Sequence, residues 1–407
     1  MRILHTSDWH LGQRLHHRDR LDEQTAALDW LLETIERERV DCLIVAGDIF
    51  DTHSPPNAAR KLYFRFLAQL YKLDGCRHVV FIGGNHDSAH HLNAPRELLG
   101  ELDLHVHGSV SATPDEQLIH LKAPTGETEA IIAAVPFLRD ADLRRSLPAE
   151  TEADRVERTR LAILQHYQNL ETAVGRVDCS GIPVIATGHL YAHGSNADKE
   201  QENIYLSDTS NIEAGQFPDC FDYVALGHIH RPQLVGELNH VRYSGSMIPL
   251  SFSETKDEKQ VLLLDFEGKK LKDIRPIAVP AQRRLKTIEG SLEDVKERML
   301  KLATDYAHQL EPWVDLLITD EEVPPNVRND LHDFAKELHC EIFKIRTQRP
   351  HLGAEEVFGT EHLDDLDTLD VFRRKMNAEN VATEHRTGLE QSFLELRDSL
   401  WEEPAAS

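Results

Sequence analysis

The sequence predicts an α/β protein whose main domain is built on buried strands alternating with helices. Apolar runs at residues 2–7, 41–46 and 78–82 have the length of buried strands. The stretches between them carry apolar residues at helical spacing, first at Leu28, Leu31, Leu32 and Ile35, then at Tyr63, Phe66, Leu67 and Leu70. Strands and helices that alternate in this way form a parallel βαβ sheet.

Further strands follow along the chain. Apolar runs at residues 129–135, 182–187 and 221–226 have strand character, and a charged helix is predicted over residues 151–172. Two more strands, at 240–244 and 260–266, are separated by a turn-rich link. We expect those two strands to pair antiparallel on a second sheet.

The pattern changes near Pro280. Predicted strands at residues 284–289, 313–319 and 341–346 alternate with predicted helices at 292–302 and 327–338, which indicates a small α+β unit. From Gly353 the chain is acidic and poor in strand residues, and Phe393, Leu396 and Leu400 repeat at helical spacing. That apolar stripe is either a lid on this protein or a surface for a partner. The predicted divisions are residues 1–279, 280–350 and 351–407.

Composition limits the class of protein. A chain of 407 residues is too long to fold around one ordinary hydrophobic core, so we expect two or three domains. Its net charge of −25 argues against a free-standing nucleic-acid binder held by bulk charge, although metal ions, local basic patches or a basic partner remain compatible with it. The cysteines, Cys42, Cys76, Cys179, Cys220 and Cys340, show no paired spacing, which favours reduced thiols in the cytoplasm. The sequence shows neither a signal peptide nor an apolar run long enough to span a membrane.

Polar side chains follow the predicted strands at the point where each strand ends. They are Asp8, His10, Asp48, Asn85, His189, His228 and His230. The carboxyl ends of parallel strands are where open α/β sheets bind ligands. Oxygen and imidazole ligands without thiolates suit manganese, iron or zinc in a hydrolytic site. The group is too large for one ion, but it suffices for two ions that share a carboxylate.

Each motif alone is a weak signal, because a single Asp-x-His or Gly-Asp-x-x-Asp arises by chance or for structural reasons. The series at successive strand ends is what favours a site. Other histidines, His16, His17, His90 and His91, lie in polar surroundings without strand context. We interpret these four as solvated surface residues.

The strand-end motifs resemble a known signature. Asp8-x-His10, Gly47-Asp48-x-x-Asp51, Gly84-Asn85-His86-Asp87, Gly188-His189 and Gly227-His228-x-His230 are similar to the motifs of calcineurin-like metallophosphoesterases. The flanking residues, including HTSDWHLGQ, VAGDIFDTHSPP and ALGHIHRPQ, resemble the SbcD nuclease-subunit family of double-strand-break repair nucleases. This resemblance implies a two-sheet sandwich flanked by helices, a small α+β capping domain and C-terminal helices.

The resemblance also implies roles for the individual residues. One ion would be held by Asp8, His10, Asp48 and His230, and the other by Asp48, Asn85, His189 and His228, with Asp48 bridging. His86 would protonate the leaving 3′-oxygen or steady the phosphate. A carboxylate is expected to orient His86, with Asp51 as the first candidate and Asp87 as the alternative. Manganese is the ion that the resemblance implies.

The implied activity is hydrolysis of DNA phosphodiesters in repair, recombination and replication. It comprises an ATP-dependent 3′→5′ exonuclease on double strands and an endonuclease on single strands and hairpins. The implied partner is the SMC-like ATPase SbcC, as two copies of each protein, bound through residues 351–407. A homodimer through the nuclease domain is also implied, with Leu62, Tyr63 and Phe66 as either core or interface. The expected location is the cytoplasm, at the nucleoid when on DNA.

Two alternatives remain at this stage. A phosphatase or small-molecule phosphodiesterase could use the same core, although Thr52 stands where protein phosphatases of the superfamily carry arginine. A scaffold that has lost catalysis could keep the fold. Such relatives lose ligands, whereas every expected ligand and His86 are present here.

Overall fold

The computed structural model describes residues 1–73, 75–143, 151–193, 212–305, 310–320, 323–324 and 326–347. It also describes residues 369, 372–373, 376–377 and 386–394. At residues 140–141, 152–156 and 193 it describes the backbone alone.

Two six-stranded sheets form the main body. In spatial order the first sheet contains Lys270–Ala278, Gln260–Glu267, Arg2–Thr6, Cys42–Ala46, His78–Ile82 and Leu104–His107. The second contains Gln233–Val235, Leu238–Tyr243, Tyr223–Gly227, Val184–His189, Thr128–Ala133 and Leu118–Lys122. The central strands of both sheets run parallel, and antiparallel strands lie towards their edges.

Helices cover the outer face of each sheet. Leu21–Glu38 and Asn57–Leu70 pack on the first sheet, where Leu31 and Phe66 join the core formed by Val45 and its neighbours. Glu152–Val174 packs on the second sheet. Shorter helices are Ala89–Asn93, Arg96–Gly100 and Asp140–Leu143, and 3-10 turns are Pro114–Gln117, Ala214–Gln216 and Phe252–Lys256. Small strand pairs are Arg14–Leu15 with Arg18–Asp19, and Ala192–His193 with Ile212–Glu213.

The inner faces of the two sheets share a third core. Ile44 and Val80 from the first sheet pack with Ile132 and Ala225 from the second. His5 lies within this apolar layer, and its ring nitrogens lie 3.0 Å from the Tyr223 hydroxyl and 3.2 Å from the Leu226 carbonyl oxygen. These contacts give a buried polar side chain partners on the opposite sheet, as burial requires.

A smaller unit follows the sandwich. Strands Arg283–Gly290, Leu310–Ile318 and Glu341–Thr347 form a parallel sheet, and helices Leu292–Asp305 and Val327–Glu337 connect them. The unit has its own core. It contacts the sandwich through an apolar cluster of Leu15, Phe252, Leu285, Trp313 and Phe343, and Arg283 lies 3.5 Å from Glu23 of the sandwich.

The predicted α/β sandwich with a small additional unit is confirmed, and one pairing is corrected. The strands near residues 240 and 260 belong to different sheets. Leu238–Tyr243 pairs parallel with Tyr223–Gly227, whereas Gln260–Glu267 crosses to the first sheet and pairs antiparallel with Arg2–Thr6. The turn-rich link is therefore a crossover between sheets, which local sequence does not distinguish from a hairpin.

Other expectations have mixed outcomes. All five cysteines are free thiols. Leu62, Tyr63 and Phe66 are core residues, at most 5% exposed. No helix in the described parts of the chain is long and apolar enough to cross a membrane. Most of the predicted C-terminal segment, including Leu396 and Leu400, lies outside the described residues.

Candidate metal centre

The strand-end side chains meet at one edge of the sandwich. One oxygen or ring nitrogen from each of Asp8, His10 and His230 lies within 4.8 Å of the others, and the same holds for Asp8, Asp48 and His189. Because these two groups share Asp8, the structure brings residues more than 200 positions apart into one centre. Each of the five is buried except His230, which is partly exposed.

The loops that carry these side chains are strained. Asp8, His10, Asp48 and His228 have φ angles of 53°, 45°, 50° and 104°, in the left-handed region that non-glycine residues seldom occupy. Asp8 and His10 therefore do not continue the extended backbone of the strand Arg2–Thr6. They project from a turn, and Trp9 between them is buried against Phe66 and Phe81. Such strain persists where the surrounding structure enforces it, as at ligand sites.

Gly84 provides space for a neighbouring side chain. Gly84 does not have a positive φ, but a Cβ atom there would overlap the Asp48 carboxylate. Any larger residue would displace Asp48 from the centre.

Asp48, a member of the second group, also lies close to His10 of the first group. Its Oδ2 is 3.2 Å from His189 Nε2 and 3.4 Å from His10 Nε2, while its Oδ1 accepts a hydrogen bond of 2.9 Å from the His86 backbone N–H. The Asn85 Oδ1 lies 3.0 Å from His189 Nε2 and 3.1 Å from His228 Nδ1. Oxygen and nitrogen donors thus converge from both sheets.

The donor set fits divalent cations. His10 Nε2 and Asp48 Oδ2 are buried and lack a hydrogen-bond partner. A buried polar atom without a partner costs about 1–3 kcal/mol, so two in one place need an explanation. Cations that accept these lone pairs supply one, and the absence of thiolates matches hard or borderline ions.

The acidic groups dominate the electrostatics of the centre. Burial opposes ionisation of Asp48, but the charge and hydrogen bonding of His189 outweigh burial and hold the pKa of Asp48 well below its usual range. Burial alone would lower the pKa of His189, yet Asp48 and Asp8 raise it to about 9. Burial and then the positive charge of His189 lower the pKa of His228. The carboxylates thus attract positive charge.

The contact that orients His86 differs from the expectation. His86 Nδ1 lies 2.7 Å from the backbone carbonyl oxygen of Asp51, so Nδ1–H is the donor. The Asp51 carboxylate instead lies 3.1 Å from His10 Nδ1. His86 thus contacts the backbone of Asp51 and not its carboxylate, which lies beside the candidate ligand His10.

The Asp87 carboxylate is hydrogen-bonded to backbone N–H groups. Its Oδ2 accepts hydrogen bonds from the N–H groups of Ile49 at 3.0 Å and Gly84 at 2.9 Å, and its Oδ1 accepts one from Phe50 at 2.9 Å. Burial and then the charge of Asp48 raise the pKa of Asp87 to about 6, against the effect of these amides. Asp87 therefore ties the loop of Asp48 to the loop of Asn85 and does not orient His86.

Sequence reasoning missed Glu254. Its Oε1 lies 3.0 Å from His230 Nδ1, and its Oε2 accepts a hydrogen bond of 2.6 Å from the buried Lys259 ammonium. Burial raises the pKa of Glu254, but the charges and hydrogen bonds of Lys259 and His230 lower it by more, so the pKa of Glu254 lies below its usual range. A carboxylate behind a histidine ligand fixes its tautomer and orientation. Glu254 follows no strand-end motif, so nothing in the local sequence marks it.

Comparison with known proteins agrees with this geometry. The family described as "Calcineurin-like phosphoesterase" matches residues 1–232, and the family described as "Type 5 capsule protein repressor C-terminal domain" matches residues 281–380. The SbcD subunit of the nuclease SbcCD from Escherichia coli (strain K12) is 36% identical over 398 residues, which is 97% of each chain. The chain belongs to the SbcD family of calcineurin-like phosphoesterases.

Another member of the SbcD family aligns over a shorter span. The SbcD subunit of the nuclease SbcCD from Rhodobacter capsulatus is 37% identical over 277 residues, covering 66% of this chain and 67% of its own. A solved structure, "GAP50 the anchor in the inner membrane complex of Plasmodium", covers 69% of this chain and 89% of its own at 14% identity, with a TM-score of 0.38. That likeness is too low to carry an argument. Family membership makes this chain a metal-dependent hydrolase of the nuclease type.

Proposed function

We propose that this centre holds two divalent ions, manganese in the cell, and hydrolyses DNA phosphodiesters. The observation that supports the proposal is the convergence of donors from both sheets around Asp48. Asp8, His10, Asp48 and His230 would hold one ion, and Asp48, Asn85, His189 and His228 the other. Such a pair neutralises phosphate charge and makes a water molecule acidic enough to act as nucleophile near neutral pH.

His86 is the proposed proton donor. Water attacks phosphorus and releases a proton to solvent, and the bond from phosphorus to the 3′-oxygen breaks. The leaving oxygen takes the Nε2 proton of the His86 imidazolium, which is left as a neutral ring with its proton on Nδ1. Because Nδ1–H donates to the Asp51 carbonyl oxygen, the opposite ring nitrogen is the one available to the substrate. The His86 ring lies 4.8 Å from that of His10, centroid to centroid, which places it beside the candidate ligands.

A basic cleft in the smaller unit is a proposed path for DNA. Arg284, Lys286, Arg298 and Lys301 line a cavity of about 320 Å³, which Thr255 of the sandwich also lines. Thr255 directly follows Glu254, whose carboxylate contacts His230. A backbone held in this cleft would therefore run towards the centre. The local positive charge lets a chain of net charge −25 contact phosphate.

Arg139 is a weaker candidate for phosphate binding. Its guanidinium donates to the Asp87 carbonyl oxygen at 2.8 Å, which gives it a structural contact. Arg144 and Arg145 lie outside the described residues.

We propose residues 1–279 as the nuclease domain, 280–350 as the capping domain and 351–407 as the region that binds SbcC. The strand Lys270–Ala278 belongs to the sandwich and the next strand, Arg283–Gly290, belongs to the three-stranded sheet, which supports a domain boundary near residue 280. The proposed complex contains two copies of each protein and works in the cytoplasm, at the nucleoid when on DNA. Truncation after Gly353 should abolish co-purification with SbcC, and unchanged association would contradict the assignment of this region.

A homodimer surface is proposed beside Asn57–Leu70. Phe64 is 43% exposed, and with Phe50, Pro55, Leu92 and other residues it lines a groove of about 310 Å³. The substitution Phe64→Glu should convert a dimer to a monomer in sedimentation velocity. A dimer that persists in this variant would exclude the surface.

The activity itself is tested on three substrates with manganese. They are a labelled linear duplex, a hairpin and bis(p-nitrophenyl) phosphate, each with and without SbcC and ATP. We expect 3′→5′ degradation of the duplex only with SbcC and ATP, together with hairpin cleavage. Cleavage of the small phosphodiester without any cleavage of DNA, even with the ATPase present, would overturn the assignment in favour of a small-molecule phosphodiesterase.

A further inference from the structure

A second group of potential ligands lies at the other end of the first sheet. His78 is the first residue of the strand His78–Ile82, and Asp103 directly precedes the edge strand Leu104–His107. The strands pair in parallel, with Val79 opposite Leu104 and Val80 opposite His105. Because side chains alternate along a strand, His78 and His105 project from the same face. The nuclease loops follow the opposite ends of these strands, about 15 Å away along a five-residue strand.

Three side chains converge at this location. One ring nitrogen each of His78 and His105 and one carboxylate oxygen of Asp103 lie within 4.8 Å of one another. His78 and Asp103 also line a cavity of about 520 Å³. The cavity provides an entry path from the surface.

The hydrogen bonding of His78 leaves one nitrogen available as a ligand. Nε2 lies 2.9 Å from the Lys122 carbonyl oxygen, so the proton is on Nε2 and Nδ1 carries a lone pair. The His78 side chain is only 5% exposed, and Nδ1 is buried without a hydrogen-bond partner. A carbonyl behind the distal nitrogen is the arrangement that supports histidine ligands of metals. An orphaned buried nitrogen costs free energy that a bound cation would recover.

The surrounding charges are compatible with a cation. Arg77 makes ion pairs with Asp41 at 3.0 Å and Glu129 at 2.6 Å, so its charge is compensated. Asp103 adds a negative charge beside the two imidazoles.

We propose that His78, Asp103 and His105 form a further metal site that takes Zn²⁺. Two imidazoles and one carboxylate match the ligand preference of zinc and leave one position for water. The ion fastens the edge strand Leu104–His107 to its neighbour. The site is independent of the proposed nuclease function, because its residues lie at the opposite end of the sheet.

Zinc stoichiometry tests the site. The full-length chain is stripped with EDTA, loaded with Zn²⁺ and desalted, and its zinc content is measured per chain. The wild type should exceed both His105→Ala and Asp103→Asn by one equivalent. His120→Ala, which removes an exposed histidine of Leu118–Lys122, should match the wild type.

Two readouts separate this site from the nuclease centre. Manganese-dependent DNA cleavage by His105→Ala should equal that of the wild type, because the variant leaves the strand-end loops intact. Co²⁺ loaded in place of zinc should give a visible absorption band that is reduced in both variants. Equal zinc content in the wild type and both variants would overturn the proposal, whether or not the protein cleaves DNA.

Discussion

The substitution Asp87→Asn tests how the two central loops are held. Asp87 is fully buried, and its carboxylate accepts three backbone hydrogen bonds of 2.9–3.0 Å from Ile49, Phe50 and Gly84. Asparagine keeps the volume but replaces one acceptor oxygen with a donor. If its carbonyl oxygen retains the two bonds at the Oδ2 position, its NH₂ group faces the Phe50 N–H, donor against donor.

The expected cost follows from that geometry. Loss of one buried hydrogen bond leaves a donor unsatisfied and costs about 1–3 kcal/mol. The two remaining bonds weaken because they go to a neutral acceptor, but burial and Asp48 disfavour the charge of Asp87, so removal of the charge offsets this weakening. We therefore expect the free energy of unfolding to fall by about 1–3 kcal/mol at pH 8, from the unsatisfied donor.

Urea unfolding of the chelator-treated protein measures this change. The control is Asp333→Asn, since Asp333 makes only an exposed pair with Lys336 and should change stability by at most about 0.5 kcal/mol. Manganese affinity should also fall in Asp87→Asn, because the loops that carry Asp48 and Asn85 lose their common tie. If Asp87→Asn is as stable as its control, the carboxylate does not hold these loops.

Three further outcomes are expected. His86→Gln should abolish DNA cleavage while manganese binding measured by calorimetry is unchanged; surviving cleavage would exclude His86 as the proton donor. Glu254→Gln should weaken manganese binding about 10–100-fold, with Glu258→Gln as an exposed control, because the acceptor that orients His230 is altered. Burial, opposed by the Leu226 carbonyl, lowers the pKa of His5 to about 3, so the folded wild type loses stability as pH falls below 6.5, where the unfolded chain takes up a proton. His5→Gln has no histidine to titrate at this position. The difference in unfolding free energy between the wild type and His5→Gln, measured with urea, should therefore shrink by roughly 1.4 kcal/mol per pH unit below 6.5. A difference that stays constant would refute the buried neutral histidine.

The local sequence carries much of the fold. Apolar runs predicted the strands around residues 42–46 and 78–82, and helical periodicity predicted Leu21–Glu38 and Asn57–Leu70. The local sequence did not show which sheet the strand at 260–267 joins, because that depends on pairing with distant strands. Gln260–Glu267 returns to pair with the first strand of the chain, and the residues of the preceding link do not encode that pairing.

The candidate centre was predictable as a set of residues and not as a set of contacts. Strand-end position selects Asp8, Asp48 and His189, since the carboxyl ends of parallel strands share an edge. The atom that each side chain offers depends on neighbours from elsewhere. Asp51 contacts His86 through its carbonyl and His10 through its carboxylate, a division that a motif cannot express.

The class of chemistry follows from the order of residues alone, because a series of oxygen and imidazole donors without thiolates at strand ends has few other uses. Which groups support those donors depends on how distant segments pack. Glu254 and Lys259 reach His230 from a separate turn, and His78 meets Asp103 and His105 across neighbouring strands. These contacts join segments that are distant in sequence and carry no local motif, so the sequence pattern does not predict them.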